Sequence, residues 1–388
     1  MILLEHDAKE ILAGYGVPVP AGILVANADG IDVDQLPPGP WMVKAQVASG
    51  GRGKAGGIIR ADSAREISAA VRMLVGREIA GHKVGACRVE TVVSDGREVY
   101  IGFTIDPREA AMSVLLSPSG GVDIEPLVTL DGDLNSLNSI CKIKETQDAV
   151  ASLSATLPEH LYEPVRAAGL TLAEITYALR AMLLEVNPVF VLPTGDWLAG
   201  DAKIVLDDNV ISEIPAVRKL IIARRPLYES AYVKLTEGFD YVELAPRGEV
   251  GLLTTGAGLS MMLIDEMVAH GIEPFNFCDV RAGLLRGDPR RLVDVLRWIG
   301  RGSAVRALFV NIFAGVTDLG EFARLLLQAL DALPAFRMPI VARLIGNGFE
   351  NARQTLAASQ IPITVETELE RALDALDGVL GKSHRADA

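Results

Sequence analysis

From about residue 248 onward the chain repeats one pattern five times: a short apolar run, then an amphipathic stretch. "EVGLLTTGAG" leads into "LSMMLIDEMVAHG", "PFNFCDV" into "DPRRLVDVLRWIG", and "VRALFVNIF" into "DLGEFARLLLQALDA". "MPIVARLIG" then leads into "FENARQTLAAS", and "IPITVE" into "ELERALDALDGVL". Successive strand–helix units predict a parallel sheet covered on both faces, because each helix must carry the chain back across the sheet before the next strand. In such sheets ligands sit at the carboxyl ends of the strands. The loops after these strands are therefore candidate sites.

The first half is organised differently. Residues 3–14 have helical spacing, "YGVPVPAGILVA" predicts a turn into a strand, and "PWMVKAQV" a strand. "SAREISAAVRMLVG" predicts a helix, "CRVETVV" and "EVYIGFTID" two strands, and "AAMSVLLSPSGGVDIE" a hairpin with Gly at its turn. After a polar stretch come the helix "TLAEITYALRAMLLE" and the strands "VNPVFVLP" and "WLAGDAKIVL". Such a mixture of hairpins and helices is α+β. Residues 205–247, with the charged run "RKLIIARRPLYES", predict a connector. The expected division is 1–235 and 236–388.

At 388 residues the chain exceeds what one core usually supports. Its net charge of −13 excludes general affinity for nucleic acid or anionic membrane, but not a local basic pocket. Cys87, Cys141 and Cys278 are scattered without the paired spacing of a disulfide framework or a zinc site. "MILLEHDAKEIL" carries early acids, unlike a signal peptide, and no stretch is apolar for the roughly eighteen residues of a membrane span. A cytoplasmic protein is expected.

The segment "VKAQVASGGRGKAGG", residues 43–57, cannot build a core. Its glycines permit φ > 0 and close backbone approach, so amide N–H groups can ring an anion, with Arg52 and Lys54 adding charge. The G-x-x-x-x-G-K-[ST] order of a P-loop is absent. Alone, the segment reads equally as a basic hairpin tip. Its neighbours favour a nucleotide: Lys44 on the preceding strand can reach phosphate oxygens, and Glu90 and Glu98 on neighbouring strands can accept from ribose hydroxyls. Asn187 and Asp201, in "LLEVNPVFV" beside Glu185 and in "LAGDAK", supply the few hard oxygens that suit Mg²⁺. In the second half, "NIFAGVTDLGEF" predicts a strand, a Gly turn and a helix capped by Thr317 or Asp318, whose free N–H groups would favour an anion.

These segments carry a resemblance. "LLEHDAKEILAGYGVPVP", "PWMVKAQVASGGRGKAGGI", "RVET", "REVYIGF", "SGGVDIE", "LLEVNPV" and "DAKIVLDDN" are similar to the β subunits of succinate–CoA and malate–CoA ligases. So are "TTGAGLSMMLIDEMVAHGIEPFNFCDV", "VNIFAGV" and "ARLIGN". The resemblance implies an α/β chain, with an N-terminal ATP-grasp domain and a C-terminal flavodoxin-like ligase domain. The implied reaction turns acid, CoA and ATP (rather than GTP, because Pro20 stands where ATP-preferring relatives carry proline) into acyl-CoA, ADP and phosphate. By the same resemblance, Lys44 and the backbone of Gly51, Arg52 and Gly53 contact phosphates. Glu90, Val93 and Glu98 surround base and ribose, and Asn187 and Asp201 hold Mg²⁺. Thr255, Gly315, Val316 and Thr317 meet the acid substrate and phosphate.

The family's phosphorylated histidine is missing. None of His6, His82, His160, His270 and His384 lies in a glycine-rich loop, and His6 reads as replaceable. The resemblance assigns that histidine, and most of the CoA site, to a separate α subunit in an αβ or α2β2 assembly. Three departures gather at the acid end: "DVRAGLL" puts Arg281 where glycines are usual, Thr255 replaces an asparagine, and "FAGVTDLGE" replaces "FGGIVRCD". Arg281 either takes a distal carboxylate or sulfonate, or pairs with Asp279 or Asp288. A small dicarboxylate such as succinate or malate is the expected acid. An acetate-type ligase subunit and a catalytically silent nucleotide-binding partner are the alternatives. ATP citrate lyase, whose N-terminal part is similar, would need a far longer chain.

Overall fold

The computed structural model describes residues 1–121, 135–281, 285, 287–315 and 317–381. They form two compact units, Met1–Ala223 and Arg224–Ala388. The first opens with α1 (Glu5–Gly14), then β1 (Gly22–Val25), β2 (Trp41–Ala45), β3 (Ile58–Ala61), the short β4 (Glu78–Ile79) and β5 (His82–Lys83), and β6 (Cys87–Thr91). Strands β1, β6, β2 and β3 pair antiparallel in that order. The helix Ala64–Leu74, capped by the Ser63 hydroxyl, which accepts from Glu66 N–H, packs Ile67, Ala70, Val71 and Leu74 on Val43, Ala45, Cys87 and Val89. Strand side chains alternate in direction, so Lys44, Arg88 and Glu90 leave the sheet on its other face.

A second antiparallel sheet is built from β7 (Arg97–Asp106), β8 (Ala111–Ser117), β9 (Asn135–Ile140), β10 (Ala181–Val191), β11 (Trp197–Ala199) and β12 (Lys203–Leu206). Its order is β11-β10-β7-β8-β9, with β12 also pairing β10. The helices Ile143–Ser154 and Glu159–Ala178 pack beside it. Residues 171–185 were expected to form one helix; instead the helix stops at Ala178 and β10 begins at Ala181. Arg180, at φ 47°, takes the left-handed turn that ends it. The expected second arm of the hairpin after β8, residues 122–125, lies outside the described residues.

The second unit contains β13 (Asp240–Glu243), β14 (Val250–Thr254), β15 (Asn276–Asp279), β16 (Ala307–Ala314), β17 (Ile340–Gly346) and β18 (Ile363–Glu366) in one sheet, ordered β13-β15-β14-β16-β17-β18. The five strands from β14 to β18 are parallel and follow the 2-1-3-4-5 order of a flavodoxin-like sheet. On β16, Leu308, Val310 and Ile312 face the helices Arg290–Ile299, Leu319–Asp331 and Phe349–Ala357. Ala307 and Phe309 face the helices Ala257–Ala269 and Leu369–Leu380. Both faces are thus covered, as the unbroken apolar strands require. The expected connector is not unstructured: it holds the helices Pro215–Ala223 and Glu229–Glu237, and β13 adds an antiparallel edge. Residues 224–235, read from the sequence as part of the first unit, fall with the second. Among the described residues no helix is long and apolar enough to cross a membrane.

Between β14 and β15 the pairing shifts by one residue, from Val250↔Pro274 to Thr254↔Asp279. The fully buried Asn276 side chain fills the gap, accepting from Leu252 N–H at 2.9 Å and donating to Leu252 O at 2.9 Å. Asn276→Leu is expected to orphan both groups and cost about 1–3 kcal/mol for each. Urea unfolding of the second unit measures it.

Candidate functional site

Every residue that the sequence assigned to nucleotide or metal lines one cleft of about 640 Å³ in the first unit. Lys44, Gly51, Arg52, Gly53, Glu90, Val93, Glu98, Asn187 and Asp201 are all there, with Pro20, Lys54 and Glu185. Lys44 sits near the end of β2, Glu90 on β6, Glu98 near the start of β7, and Asp201 between β11 and β12. The glycine-rich loop is a series of tight turns: Ala55 N–H donates to Gly51 O, Gly56 N–H to Gly53 O, and Gly57 N–H to Arg52 O. Gly51 and Gly56 both sit at φ +70°, as the sequence requires of glycine here. Asn187 interrupts the β10–β7 register, and its Oδ1 accepts from Gly121 N–H at 2.7 Å. A Cβ on Gly121 would lie 2.1 Å from Glu98 Oε2, so the glycine is what lets that carboxylate lie flat against the backbone.

Behind the cleft lies a buried charge lattice. Glu5 on α1 receives three cations: Lys9 at 2.8 Å and Lys44 at 2.9 Å on Oε1, and Arg52 at 2.6 Å on Oε2. Glu90 receives Lys9, Lys44 and Arg88 at 2.7, 2.7 and 2.6 Å. Lys9 and Lys44 also share the Gly200 carbonyl. Arg52 Nη2 forks onto both oxygens of Asp201, at 2.8 and 2.6 Å. Four cations thus meet four carboxylates, the fourth being the half-exposed Glu10, 3.8 Å from Arg88, so the charges balance.

The pKa directions follow from this packing. Burial pushes Glu5 up, but Arg52, Lys44 and Lys9 outweigh it and hold its carboxyl well below the usual range. Glu90 is likewise lowered, its burial outweighed by Lys9 and Lys44. Asp201 goes the other way, raised by burial and by the Glu5 charge despite Arg52. Burial depresses Lys9, whereas for Lys44 and Arg52 the surrounding carboxylates prevail over burial and raise both.

Several sequence-assigned roles meet a different geometry. Both Glu90 oxygens are bonded to cations, so it holds the lattice together and has no carboxylate oxygen turned to a ribose. The Arg52 side chain is 8% exposed and already paired with Glu5 and Asp201. His6 is no replaceable surface residue: it is buried, with Nδ1 2.8 Å from Arg88. Glu5, Lys9 and Arg88 were missed. Their signals, an i,i+4 acid–base pair on α1 and an arginine opposite Lys44 in register, are too common to single out.

At the second unit's sheet, Thr255 follows β14 and Gly315 and Thr317 follow β16, so they flank the point where strand order reverses. Thr255 Oγ1 is buried without a hydrogen-bond partner. Val316 lies outside the described residues. The cap is Asp318, whose Oδ1 accepts from Glu321 N–H at 2.9 Å, while Leu319 N–H donates to Asn347 O. The expected anion position at this helix end is therefore partly filled by the protein's own carboxylate. Arg281 takes a left-handed φ of 48°, and its guanidinium bonds Asp240 on β13 at 2.9 Å. Neither expected side-chain partner, Asp279 nor Asp288, receives it; β13 draws it to the sheet edge opposite β14. Burial raises the Asp240 pKa, but hydrogen bonds from Lys234 and Arg281 prevail and lower it.

Two oxygen donors on one cleft wall suit Mg²⁺, which takes few protein ligands and keeps waters and phosphates. Among the described residues no cluster of three or more His, Cys, Asp or Glu could hold a metal unaided.

Because the folded pKa values of Glu5 and Glu90 are depressed, their stabilisation is present above the unfolded carboxyl pKa, near 4.3, and is lost as pH falls through the folded values. Asp201 acts oppositely, but only above about pH 4. Stability should fall below pH 4 by up to about 1.4 kcal/mol per pH unit for each of the two glutamates. Urea titrations between pH 5 and 3 should show a shallower fall in Glu5→Gln.

Comparison with known proteins gives this geometry a family. The ATP-grasp domain model matches residues 2–191. The chain is 31% identical to the succinate–CoA ligase (ADP-forming) subunit beta of Bacteroides fragilis over 380 residues, 96% of this chain and 98% of that one. It is 34% identical to that of Rubrobacter xylanophilus over 393 residues, 97% of each. The solved structure of ATP citrate lyase from Methanothrix soehngenii, in complex with citrate and coenzyme A, matches with TM-score 0.71 at 18% identity, over 98% of this chain and 99% of that one. That likeness is one of fold. With its N-terminal ATP-grasp domain and its full-length relatives, the chain belongs to the succinate–CoA ligase (ADP-forming) subunit beta family.

Proposed function

We propose that this chain is the nucleotide-binding β subunit of an ADP-forming acid–CoA ligase that works with a separate α subunit. The observation that carries the reading is the gathering, in a member of this family, of the glycine-rich loop, Lys44, Asn187 and Asp201 on one cleft. ATP is the nucleotide, with Pro20 and Val93 in the cleft wall near its base. Lys44, Arg52 and the loop backbone hold the phosphates. Asn187 and Asp201 take Mg²⁺, which supplies charge neutralisation as the terminal phosphoryl group leaves.

Among the described residues no histidine lines the cleft, and His6 pairs with Arg88. By the family resemblance the phosphoryl acceptor is a histidine of the α subunit. Transfer to it releases ADP, transfer onward to the acid gives an acyl phosphate, and CoA displaces phosphate to form the thioester. The acid, a small dicarboxylate, meets this chain at Thr255, Gly315, Val316 and Thr317. On the helix Ala257–Ala269, Met261 and Val268, two turns apart on one face, are 63% and 59% exposed, an apolar strip that fits a partner chain.

Asp201→Asn, paired with the α subunit, should retain its fold and lose turnover by at least about 100-fold, since the metal loses its charged ligand. Full phosphorylation of the α-subunit histidine by this variant would overturn the metal assignment. Arg281→Ala should leave the KM for the acid within about twofold, because its partner is Asp240, and cost at most about 1 kcal/mol as an exposed pair. Screening acids for CoA-dependent phosphate release by the co-purified subunits identifies the substrate. No release with any acid would sink the ligase reading.

A further inference from the structure

We propose that Glu5 is a positioning residue for nucleotide binding: it holds Lys44 and Arg52 toward the cleft and lets Arg52 exchange Asp201 for a phosphate. The inference rests on the nucleotide reading of the cleft. Glu5 lies on α1, outside the loop and strands expected to touch the nucleotide, yet it lines the same cleft with its side chain 1% exposed. Each of its oxygens has its own task. Oε1 receives Lys44 and Lys9, and Oε2 receives Arg52 Nη1 at 2.6 Å.

The two ends of the Arg52 fork are held by different carboxylates. Nη1 bonds Glu5 and the Ala45 carbonyl, while Nη2 bonds Asp201. When Asp201 turns to the metal that accompanies the nucleotide, Nη2 loses both its acceptors. Glu5 still fixes Nη1, so the guanidinium stays in place and presents Nη2 to a phosphate oxygen. Lys44 is held in the same way, through Glu5, Glu90 and the Gly200 carbonyl. A flexible cation must be ordered when its ligand arrives, whereas a cation already ordered by Glu5 meets less of that cost. The position of Glu5 on a helix, and not on a loop, gives this anchor its rigidity.

A buried ion cluster can also be purely structural, so the test separates substrates. In the α-paired enzyme, Glu5→Gln should raise the KM for Mg-ATP at least tenfold and leave the KM for CoA within twofold. Glu5→Asp keeps the charge but withdraws the carboxylate, and should fall between Glu5→Gln and wild type. Arg52→Gln should also weaken Mg-ATP, and adding Glu5→Gln to it should cost less than Glu5→Gln alone, because Arg52 no longer needs holding. Should Glu5→Gln fail to unfold cooperatively, Glu5→Asp and the Arg52 comparison decide. Folded variants with an unmoved KM for Mg-ATP, or with Mg-ATP and CoA shifted alike, would overturn the role of Glu5. Titration of wild type with Mg-ATP by calorimetry separates the two ideas: absence of binding removes the cleft reading and this proposal with it, whereas wild-type binding with unmoved variants removes Glu5 alone.

Discussion

The carboxylate of Glu5 lies where α1, β2 and the glycine-rich loop bring Lys9, Lys44 and Arg52 within 2.9 Å of it. Without that anion, and Glu90 beside it, four cations would face one another in a space that excludes water. Burying charge costs several kcal/mol per ion, and the attraction repays it only with good geometry and satisfied hydrogen bonds. Here the carbonyls of Gly200, Ala45 and Pro20 take donors that the carboxylates leave over. The lattice is therefore tolerable as a structure. It also fixes Lys44 and Arg52, both of which line the cleft.

The surrounding fold serves that arrangement. The alternation of β2 and β6 sends Val43, Ala45, Cys87 and Val89 into the core and Lys44 and Glu90 to the cleft, with Arg88 bonded to Glu90 on the same face. The break at Asn187 in β10 and the turn at Asp201 place two oxygen donors on the facing wall. In the second unit the same logic of strand ends operates at a parallel sheet. Thr255 and Gly315 flank the reversal of strand order, while Arg281 is paired with Asp240 on β13.

Where the sequence misled, it lacked a signal that the fold supplied. The helix ending at Ala178 stops on a left-handed Arg180, not on the glycine or asparagine that would announce a stop. The apolar run "AMLLE" then satisfies a helix or a buried strand equally, and only pairing with β7 and β12 decides for the strand. Thr317 and Asp318 both could cap the next helix; the Glu321 amide chose Asp318.

The sequence by itself determined the class of this protein: two unlike halves, five strand–helix units, and a glycine-rich loop after a lysine-bearing strand. These are local patterns, and periodicity and glycine content express them without reference to distant residues. What each charged residue does was decided by tertiary structure. Glu90 reads as a ribose acceptor until Lys9, Lys44 and Arg88 surround it, and Glu5 reads as ordinary until Arg52 arrives from 47 positions away. A charge takes its role from the partners within a few ångströms, and those partners are set by long-range packing.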